Sequence, residues 1–552
     1  MPDLRLLEAE PSDAERAAID AVVGAPASLN GNRVARSDRT RRHLLLPALR
    51  AAQLRVGWVS EGALGYASRR LEVPPAEAYG VASFYALLAL EERPADVTHV
   101  CDDLSCRLKG ATVPDGARPS PCLGLCERAP ASYRTIAGTE PVELQLPETA
   151  PALPQAGDPA LRLLRRIGVG TDPESLDAYL AAGGFTALRR ARELGAEAII
   201  REVSDSHLLG RGGAAFPTGT KWEAVARQPA QPHYVVCNAD ESEPGTFKDR
   251  VLMEGDPFAL VEAVAIAGFA TGSSKGFLYV RAEYPLAHRR LQHAIDASRE
   301  LLDGFELELR IGAGAYVCGE ETALFQSIEG FRGEPRNKPP FPVEVGLFGK
   351  PTAVNNVETL FNVLEVLADG AAAFAATGTE GSAGTRLFCV SGCVDRPGLY
   401  ELPFGATLRE LLDLAGAAPP KAVLLGGAAG AFVGPELLDL RLTHEDTRAA
   451  GVTLGSGVVI VYDEDADLVG ALLRIAEFFR DESCGQCVPC RVGTVRQDEA
   501  LHRLAAGRPH EDELQTLAEL AQVMRDASIC GLGQTAANAV ASAIANLGVF
   551  AA

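Results

Sequence analysis

The sequence predicts a multidomain α/β protein, on three observations. At 552 residues the chain is too long for one hydrophobic core and implies three or four domains. From about residue 186, glycine-rich turns alternate with strand-like and helix-like apolar runs, the pattern of a sheet covered by helices. On both flanks the texture changes: residues 11–92 and the tail from 467 carry apolar residues at helical spacing.

In chain order, LLLPALRAAQ and SEGALGYASRRL read as helices, and GVASFYALLAL as a mostly apolar helix or core segment. ADVTHVCDD reads as a short strand running into a cysteine pair, and LPETAPALPQAGDP as a proline-rich linker. PHYVVCNAD is a strand ending in polar residues. DPFALVEAVAIAGFATG is a helix, with Asp256 expected as its cap and Pro257 in its first turn. KGFLYVRAEYP and LAHRRLQHAIDASRELL continue the alternation as strand and helix. Residues 386–465 form a small, mostly β module holding one helix, LRELLDLAG. The expected boundaries are 1–145, a linker at 146–185, 186–385, 386–466 and 467–552.

Composition narrows the function. Lysine and arginine number 52 against 73 acidic residues, and the net charge of −21 repels phosphate backbones, which argues against a nucleic-acid groove. The N-terminus has no signal-peptide core, and no uninterrupted apolar run reaches about 18 residues, so no direct membrane insertion is expected. Twelve cysteines without an export signal point to a reducing, cytoplasmic compartment, where thiols bind metal or stay free.

The cysteines fall into sets. ESCGQCVPCRVGT places Cys484, Cys487 and Cys490 at every third position. Structural zinc usually takes separated pairs, and disulfides between such neighbours constrain little. A [4Fe-4S] cubane, which needs one thiolate per iron, fits best, with Cys530 in SICGLGQT as the candidate fourth ligand. Cys101 and Cys106, then Cys122 and Cys126, form a C-x4-C and a C-x3-C pair suited to a [2Fe-2S] cluster; zinc or apolar filling are the alternatives. Cys237, Cys318, Cys389 and Cys393 stand in apolar, strand-like contexts and are expected to be buried, inert thiols.

Between the two sets, GRGGAAFPTGTKW packs four glycines around Arg211 and Lys221, so that backbone N–H groups and an ammonium can meet an anion. NADESEPGTFKDR brings Asn238, Asp240, Glu241 and Glu243 together, and CGEETALFQSIEG adds Gly319, Glu320 and Glu321. Carboxylates so clustered normally mean a solvated face, but these follow apolar strands, where α/β sheets bind ligands. Lys338, Phe341, Asn355 and Asn356 follow in a proline-held stretch, and asparagine pairs can bind ring carbonyls or hydroxyls.

Residues 186–552 resemble the NADH-oxidising flavoprotein subunit of respiratory complex I and its relatives, through GRGGAAFPTGTKW, CNADESEPGTFKDR, YVCGEETALFQSIEG, KPPFPVEVGLFGKPTAVNNVETL and FFRDESCGQCVPCRVGT in that order. The resemblance implies FMN and NAD(H) in one cavity of a Rossmann-like FMN-binding domain, a β-grasp module, and a C-terminal helical bundle carrying the [4Fe-4S] cluster. Gly210, Arg211, Gly212, Gly213 and Lys221 would hold the flavin phosphate side. Asn238, Asp240, Glu241, Tyr316, Gly319 and Glu320 would face the flavin, with Asp240, Glu241 and Glu320 tuning it, and Asn355, Asn356 and Thr359 would complete the pocket. Phe216, Glu243, Glu321, Lys338 and Phe341 would take the nicotinamide nucleotide. Where the family often carries a second aromatic after KW, this chain has Ala224, so adenine stacking would rest on Phe216.

The first 145 residues resemble the family's thioredoxin-like [2Fe-2S] companion, through LLPALRAAQ, GVASFYALLAL, the C-x4-C pair and CLGLCERAP. Only 15 residues separate Cys106 from Cys122, fewer than usual, which implies a trimmed thioredoxin-like fold. The fused arrangement resembles the β subunit of cytosolic NAD-dependent molybdenum- or tungsten-containing formate dehydrogenases, and also the diaphorase subunits of NAD-reducing hydrogenases. It implies an iron–sulfur catalytic subunit and a small thioredoxin-like [2Fe-2S] subunit as partners. NADH:quinone oxidoreductase and a degenerate, non-catalytic scaffold are the other readings.

Overall fold

The computed structural model describes residues 9–24, 38–168 and 172–550. The signal-peptide reading of residues 1–8, the helical reading over 25–37 and part of the linker at 169–171 lie outside them. Three sheets organise the chain.

In the N-terminal part, helices Asp13–Val23, Leu45–Val56, Glu61–Leu71 and Pro75–Ala82 precede a small sheet. Its strands are β1 (Asp96–Cys101), β2 (Arg118–Ser120), β3 (Ser132–Ile136) and β4 (Val142–Leu146), in the order β2-β1-β3-β4. One five-residue helix, Leu104–Leu108, lies between β1 and β2, consistent with a trimmed thioredoxin-like fold. GVASFYALLAL departs from the helical reading: the helix stops at Ala82. The chain then leaves helical geometry because Ala86 and Leu87 donate their N–H groups to Gly314 and Ala313, and the Tyr85 hydroxyl donates to Phe331 O at 2.9 Å. Tertiary partners outcompete the next helical turn.

The central sheet is fully parallel, β7-β6-β5-β8, from β5 (His233–Ala239), β6 (Ser273–Val280), β7 (Glu306–Ile311) and β8 (Thr352–Asn356). A parallel sheet is covered on both faces, which is why PHYVVCNAD and KGFLYV read as near-continuous apolar runs. Helix Pro257–Thr271 has no polar stripe and is buried almost all round, the expected fate of a helix apolar on every side. Asp256 does not cap it. Its carboxylate turns to Arg166 at 2.6 Å, and its backbone (φ −146°, ψ 59°) lies off the capping conformation.

The third sheet orders β10-β9-β13-β11-β12, from β9 (Thr385–Gly392), β10 (Gly398–Pro403), β11 (Ala422–Leu425), β12 (Ala431–Val433) and β13 (Val458–Tyr462). It carries the expected helix, Leu408–Ala415, closed by a Thr407–Glu410 capping box, and a second, short helix, His444–Ala449, that the sequence reading lacks. The tail folds as helices Leu468–Asp481, Val488–Ala505, Glu513–Ala527 and Asn538–Leu547.

Candidate functional site

The four C-terminal cysteines converge. Cys484 and Cys487 sit in the turn after helix Leu468–Asp481, Cys490 in the first turn of Val488–Ala505, and Cys530 precedes the short helix Gly531–Thr535. All four line one pocket together with Val317, Pro335 and Ser483. Among the described residues no three cysteine, histidine or carboxylate side chains meet at a single-ion position. Four cysteines on one pocket match in number the one thiolate per iron that a [4Fe-4S] cube takes. Burial pushes the Cys490 thiol up to about 11 and the Cys530 thiol up to about 12, so cluster assembly must displace their protons.

The N-terminal set converges as well. Cys101 ends β1, Cys106 lies in Leu104–Leu108, and Cys122 and Cys126 flank the turn after β2. All four are buried and free, with the Cys122 and Cys126 sulfurs 3.4 Å apart. Thiol contacts from Cys101 and Cys126, and then the N–H groups of Gly245 and Gly124, hold Cys122 well below the usual thiol range, while Cys101 and Cys126 are pushed up. Four buried thiols brought together from two turns match the number of thiolates a [2Fe-2S] cluster takes. Cys237, Cys318 and Cys389 are buried too, and burial raises their thiols and keeps them unreactive; Cys393 is half-buried.

Between the cysteine sets, the carboxyl ends of β5 and β8 present the central residues side by side, since Cys237 pairs with Asn355 and Asn238 with Asn356 in register. Asn238 Nδ2 donates to Gly319 O at 2.8 Å, which ties the 3₁₀ turn Tyr316–Gly319 to the strand end. Asn355 accepts from the Trp222 indole N–H at 2.8 Å, and Asn356 caps the helix Val357–Asp369 while donating to Asp249 at 2.6 Å. The glycine loop stands over these ends. Gly213 adopts φ +117°, a conformation open to glycine, and a Cβ on Gly212 would crowd Asn356 at 3.1 Å. Among the described residues, the N–H groups of Gly212 and Gly213 donate to no group of the chain. Unpartnered amides in a glycine turn suit a phosphate.

Two of the sequence-predicted residues have other work. The Arg211 side chain is fully buried; its guanidinium donates to Ala383 O at 2.7 Å and Leu209 O at 3.1 Å and lies 4.6 Å from the Phe404 ring centre. Only its backbone N–H faces the site, donating to Thr359 Oγ1 at 2.8 Å. Burial lowers the guanidinium to about 9. The Glu241 carboxylate accepts the N–H groups of Asp249 and Arg250 at 2.8 and 2.9 Å, and so caps helix Lys248–Gly255. Burial nonetheless raises Asp240 and Glu241 to about 8, which works against the fixed negative charge expected of them beside a flavin.

At the mouth, Lys338 bridges Glu320 (2.8 Å) and Glu321 (2.9 Å), and Lys221 stands 3.6 Å from Glu321. Burial raises Glu321, but the two lysines outweigh it and the carboxyl ends below its usual range. Phe216 is 51% exposed and Phe341 53%, unusual for aromatic rings and suited to stacking on a planar ligand. Ala224 lies in the same helix as Lys221, Thr218–Ala226. Deeper in, Glu243 accepts from the Tyr316 hydroxyl and from Ala429 N at 2.9 Å, and burial raises it to about 7. Tyr316 N donates to Glu482 at 2.8 Å, and its ring packs 4.9 Å from Phe478.

Sequence reading missed the residues that hold this arrangement. Trp222 orients Asn355. Arg281, buried behind the site, donates to Glu241 O at 2.7 Å and Cys122 O at 2.8 Å, joining the two parts. Glu482 links Tyr316 to the cysteine turn. Trp222 could have been singled out as a lone tryptophan in a glycine motif; the apolar run around Arg281 offered no signal.

Models of known families match in the same order along the chain. A thioredoxin-like [2Fe-2S] ferredoxin covers residues 32–113, the Nuo51 FMN-binding domain 203–365, an SLBB domain 387–428, and the NADH-ubiquinone oxidoreductase-F iron-sulfur binding region 470–548. The F component of the NADH-quinone oxidoreductase of Aquifex aeolicus is 43% identical over 70% of this chain and 93% of its own length. The chain belongs to the NADH-quinone oxidoreductase F family. Another relative, HndC of the NADP-reducing hydrogenase of Solidesulfovibrio fructosivorans, is 43% identical over 69% of this chain and 81% of that protein. A chain in the crystal structure of an NAD+-reducing [NiFe]-hydrogenase in the air-oxidized state superposes at TM-score 0.80 and 34% identity, covering 94% of both chains. As a member of this family, the protein is an NAD(H)-dependent flavin and iron–sulfur oxidoreductase component, with FMN, a [4Fe-4S] and a [2Fe-2S] cluster as its cofactors. Among the described residues no helix is long and apolar enough to cross a membrane.

Proposed function

We propose that this chain is the diaphorase subunit of a cytoplasmic NAD(H)-dependent dehydrogenase complex. Bound FMN supplies the hydride acceptor and the split of an electron pair into single electrons. The free amides of Gly212 and Gly213, beside Gly210 and with Lys221 within reach, hold its phosphate side. Asn238, Asp240, Gly319, Glu320, Asn355, Asn356 and Thr359 position the ring system, with Glu241 and Arg211 acting through the backbone they brace. Phe216, Phe341, Glu243, Glu321 and Lys338 take the dinucleotide and stack its nicotinamide for transfer, and no protein nucleophile is required. The observation that carries this reading is Tyr316, which touches the dinucleotide-side Glu243 with its hydroxyl and the cysteine turn's Glu482 with its amide. Anaerobic NADH addition to FMN- and iron-reconstituted protein, followed in the visible and by electron paramagnetic resonance, tests it: flavin bleaching without a cluster signal would overturn the route.

The electron acceptor is an iron–sulfur protein of the same complex. Val488, Val492 and Val495, exposed on one side of the helix that carries Cys490, support a protein seated beside the cubane. The fused N-terminal part supports a molybdenum or tungsten formate dehydrogenase with a further small [2Fe-2S] subunit. The 94% mutual coverage with the hydrogenase chain favours a nickel–iron partner as the second reading. Metal analysis of the complex purified from its source separates them: molybdenum or tungsten for the first, nickel for the second.

A further inference from the structure

Where the glycine loop meets the third sheet, several buried polar atoms have no partner. Among the described residues, Arg386 leaves Nε and Nη1 unpaired, Arg211 its Nε, His444 its Nε2 and Ser456 its hydroxyl. Native interiors pair nearly all such groups, so a cluster of them needs a cause. A chain of contacts joins these residues. The Arg211 guanidinium lies 4.6 Å from the Phe404 ring centre, and that ring lies 5.3 Å from the His444 ring. Arg211 donates to Ala383 O at 2.7 Å, and His444 N donates to the hydroxyl of the adjacent Ser382 at 3.0 Å. Arg386, in β9, spends Nη2 on Gly455 O. The turn at Gly455 and Ser456 rests on the glycine loop: a Cβ on Gly213 would stand 3.7 Å from the Gly455 carbonyl oxygen and 4.0 Å from Ser456 N.

Charge is unbalanced at this junction. Among the described residues, every nitrogen of the Arg211 and Arg386 guanidinium groups meets a backbone carbonyl or nothing, so neither has an ion pair. Glu358, the carboxylate that acts most on both, is committed elsewhere: it accepts Leu387 N at 2.9 Å and pairs with Lys248 at 3.1 Å. Burial lowers both guanidinium groups from their ordinary value, and Glu358 offsets only part of that. His444 adds no negative charge; burial, and then the two arginines, lower it to about 3 and leave it neutral. A buried charge without a counter-charge is costly, and an anion brought from outside the chain offsets that cost. On the proposed flavin reading, on which this inference rests, the anion is the phosphate held by the Gly212 and Gly213 amides, against which the Gly455 turn lies.

We propose that Arg386 selects a phosphorylated flavin over its dephosphorylated form. It is a positioning residue: it acts through Gly455, whose carbonyl oxygen it holds beside the glycine loop, and it shares with Arg211 a positive field at the phosphate. In a buried setting such a field is screened far less than in water. The third sheet is then part of the flavin site, and riboflavin, which lacks the phosphate, gains nothing from Arg386.

The test uses the full-length protein with both clusters in place and its flavin removed. FMN and riboflavin affinities are measured separately by fluorescence quenching. Wild type is expected to prefer FMN. Arg386→Gln should lower FMN affinity by at least about tenfold and leave riboflavin affinity unchanged, and Arg386→Lys, which keeps the charge, should retain most of the preference. A second variant covers the case in which the buried Gln substitution fails to fold. His444→Glu places a carboxylate beside both guanidinium groups and supplies the missing counter-charge inside the chain. It should fold, keep riboflavin affinity and lose FMN affinity by a similar factor. A role confined to packing would lower both affinities together and would not be rescued by lysine; that result, or an FMN preference unchanged in both Arg386→Gln and His444→Glu, overturns the inference alone. A wild type with no preference for FMN overturns the glycine-loop reading of the phosphate site and this inference with it.

Discussion

The backbone N–H of Gly245 donates to the sulfur of Cys122 at 3.5 Å. One loop, residues 240–247, therefore carries Asp240, which we propose faces the flavin, meets the third sheet through Glu243 and Ala429, and touches Cys122, the proposed ligand of the N-terminal cluster. The two redox parts share a backbone segment, so a disturbance of the loop reaches both.

Gly245 has φ +100°, and a Cβ there would stand 2.5 Å from Val458 Cγ1. Gly245→Ala is expected to cost about 1–3 kcal/mol in strain and clash. Denaturant unfolding would register the loss, and visible circular dichroism of the [2Fe-2S] cluster would change more than flavin content does.

Asp240 titrates near 8 because burial favours its neutral form. The sign follows from linkage: the folded state holds the proton more tightly than the unfolded chain, so the contribution to stability is complete below about pH 4 and is lost as pH rises through 8. Unfolding free energy measured from pH 5 to 9 should fall less steeply in Asp240→Asn, by at most about 1.4 kcal/mol per pH unit. Parallel slopes for the two proteins would remove Asp240 from the account.

In the proposed dinucleotide site, Ala224 would leave one side of the adenine without a ring. Ala224→Phe is expected to lower the KM for NADH about threefold to tenfold, and Phe216→Ala to raise it by a similar factor, with kcat little changed. Steady-state ferricyanide reduction measures both.

Trp222 is fully buried and its indole N–H is the donor that fixes Asn355. Trp222→Phe keeps most of the apolar volume and drops that bond. FMN affinity, read by fluorescence on release, should fall about tenfold, whereas a purely structural role would lower Tm and leave the affinity of the folded protein intact.

What could be read from the sequence was what lies close along the chain. The C-x2-C-x2-C run is a local object, and the cubane reading followed from it; Cys530 followed from the glycines around it. The α/β character of the central domain was legible because apolar strand-like runs such as those of β5 and β6 alternate with helical ones. The helical reading of residues 83–90 failed because the decisive hydrogen bonds come from Gly314 and Ala313, more than two hundred residues away. Asp256 looked like a cap until Arg166 claimed its carboxylate. The Glu241 motif does not reveal that two N–H groups of the next helix take both of its carboxylate oxygens. Arg281, Trp222 and Glu482 act through partners that no local pattern announces.

The central claim is that electrons from NADH pass the flavin and reach the cubane held by Cys484, Cys487, Cys490 and Cys530. The most direct measurement compares wild type with Cys530→Ser, each reconstituted with FMN and iron and reduced anaerobically with NADH. Wild type should show a bleached flavin and the paramagnetic signal of a reduced [4Fe-4S] cluster; the variant should bleach its flavin and lack that signal. An undiminished cubane signal in Cys530→Ser, or a wild-type flavin that NADH leaves oxidised, would contradict the account.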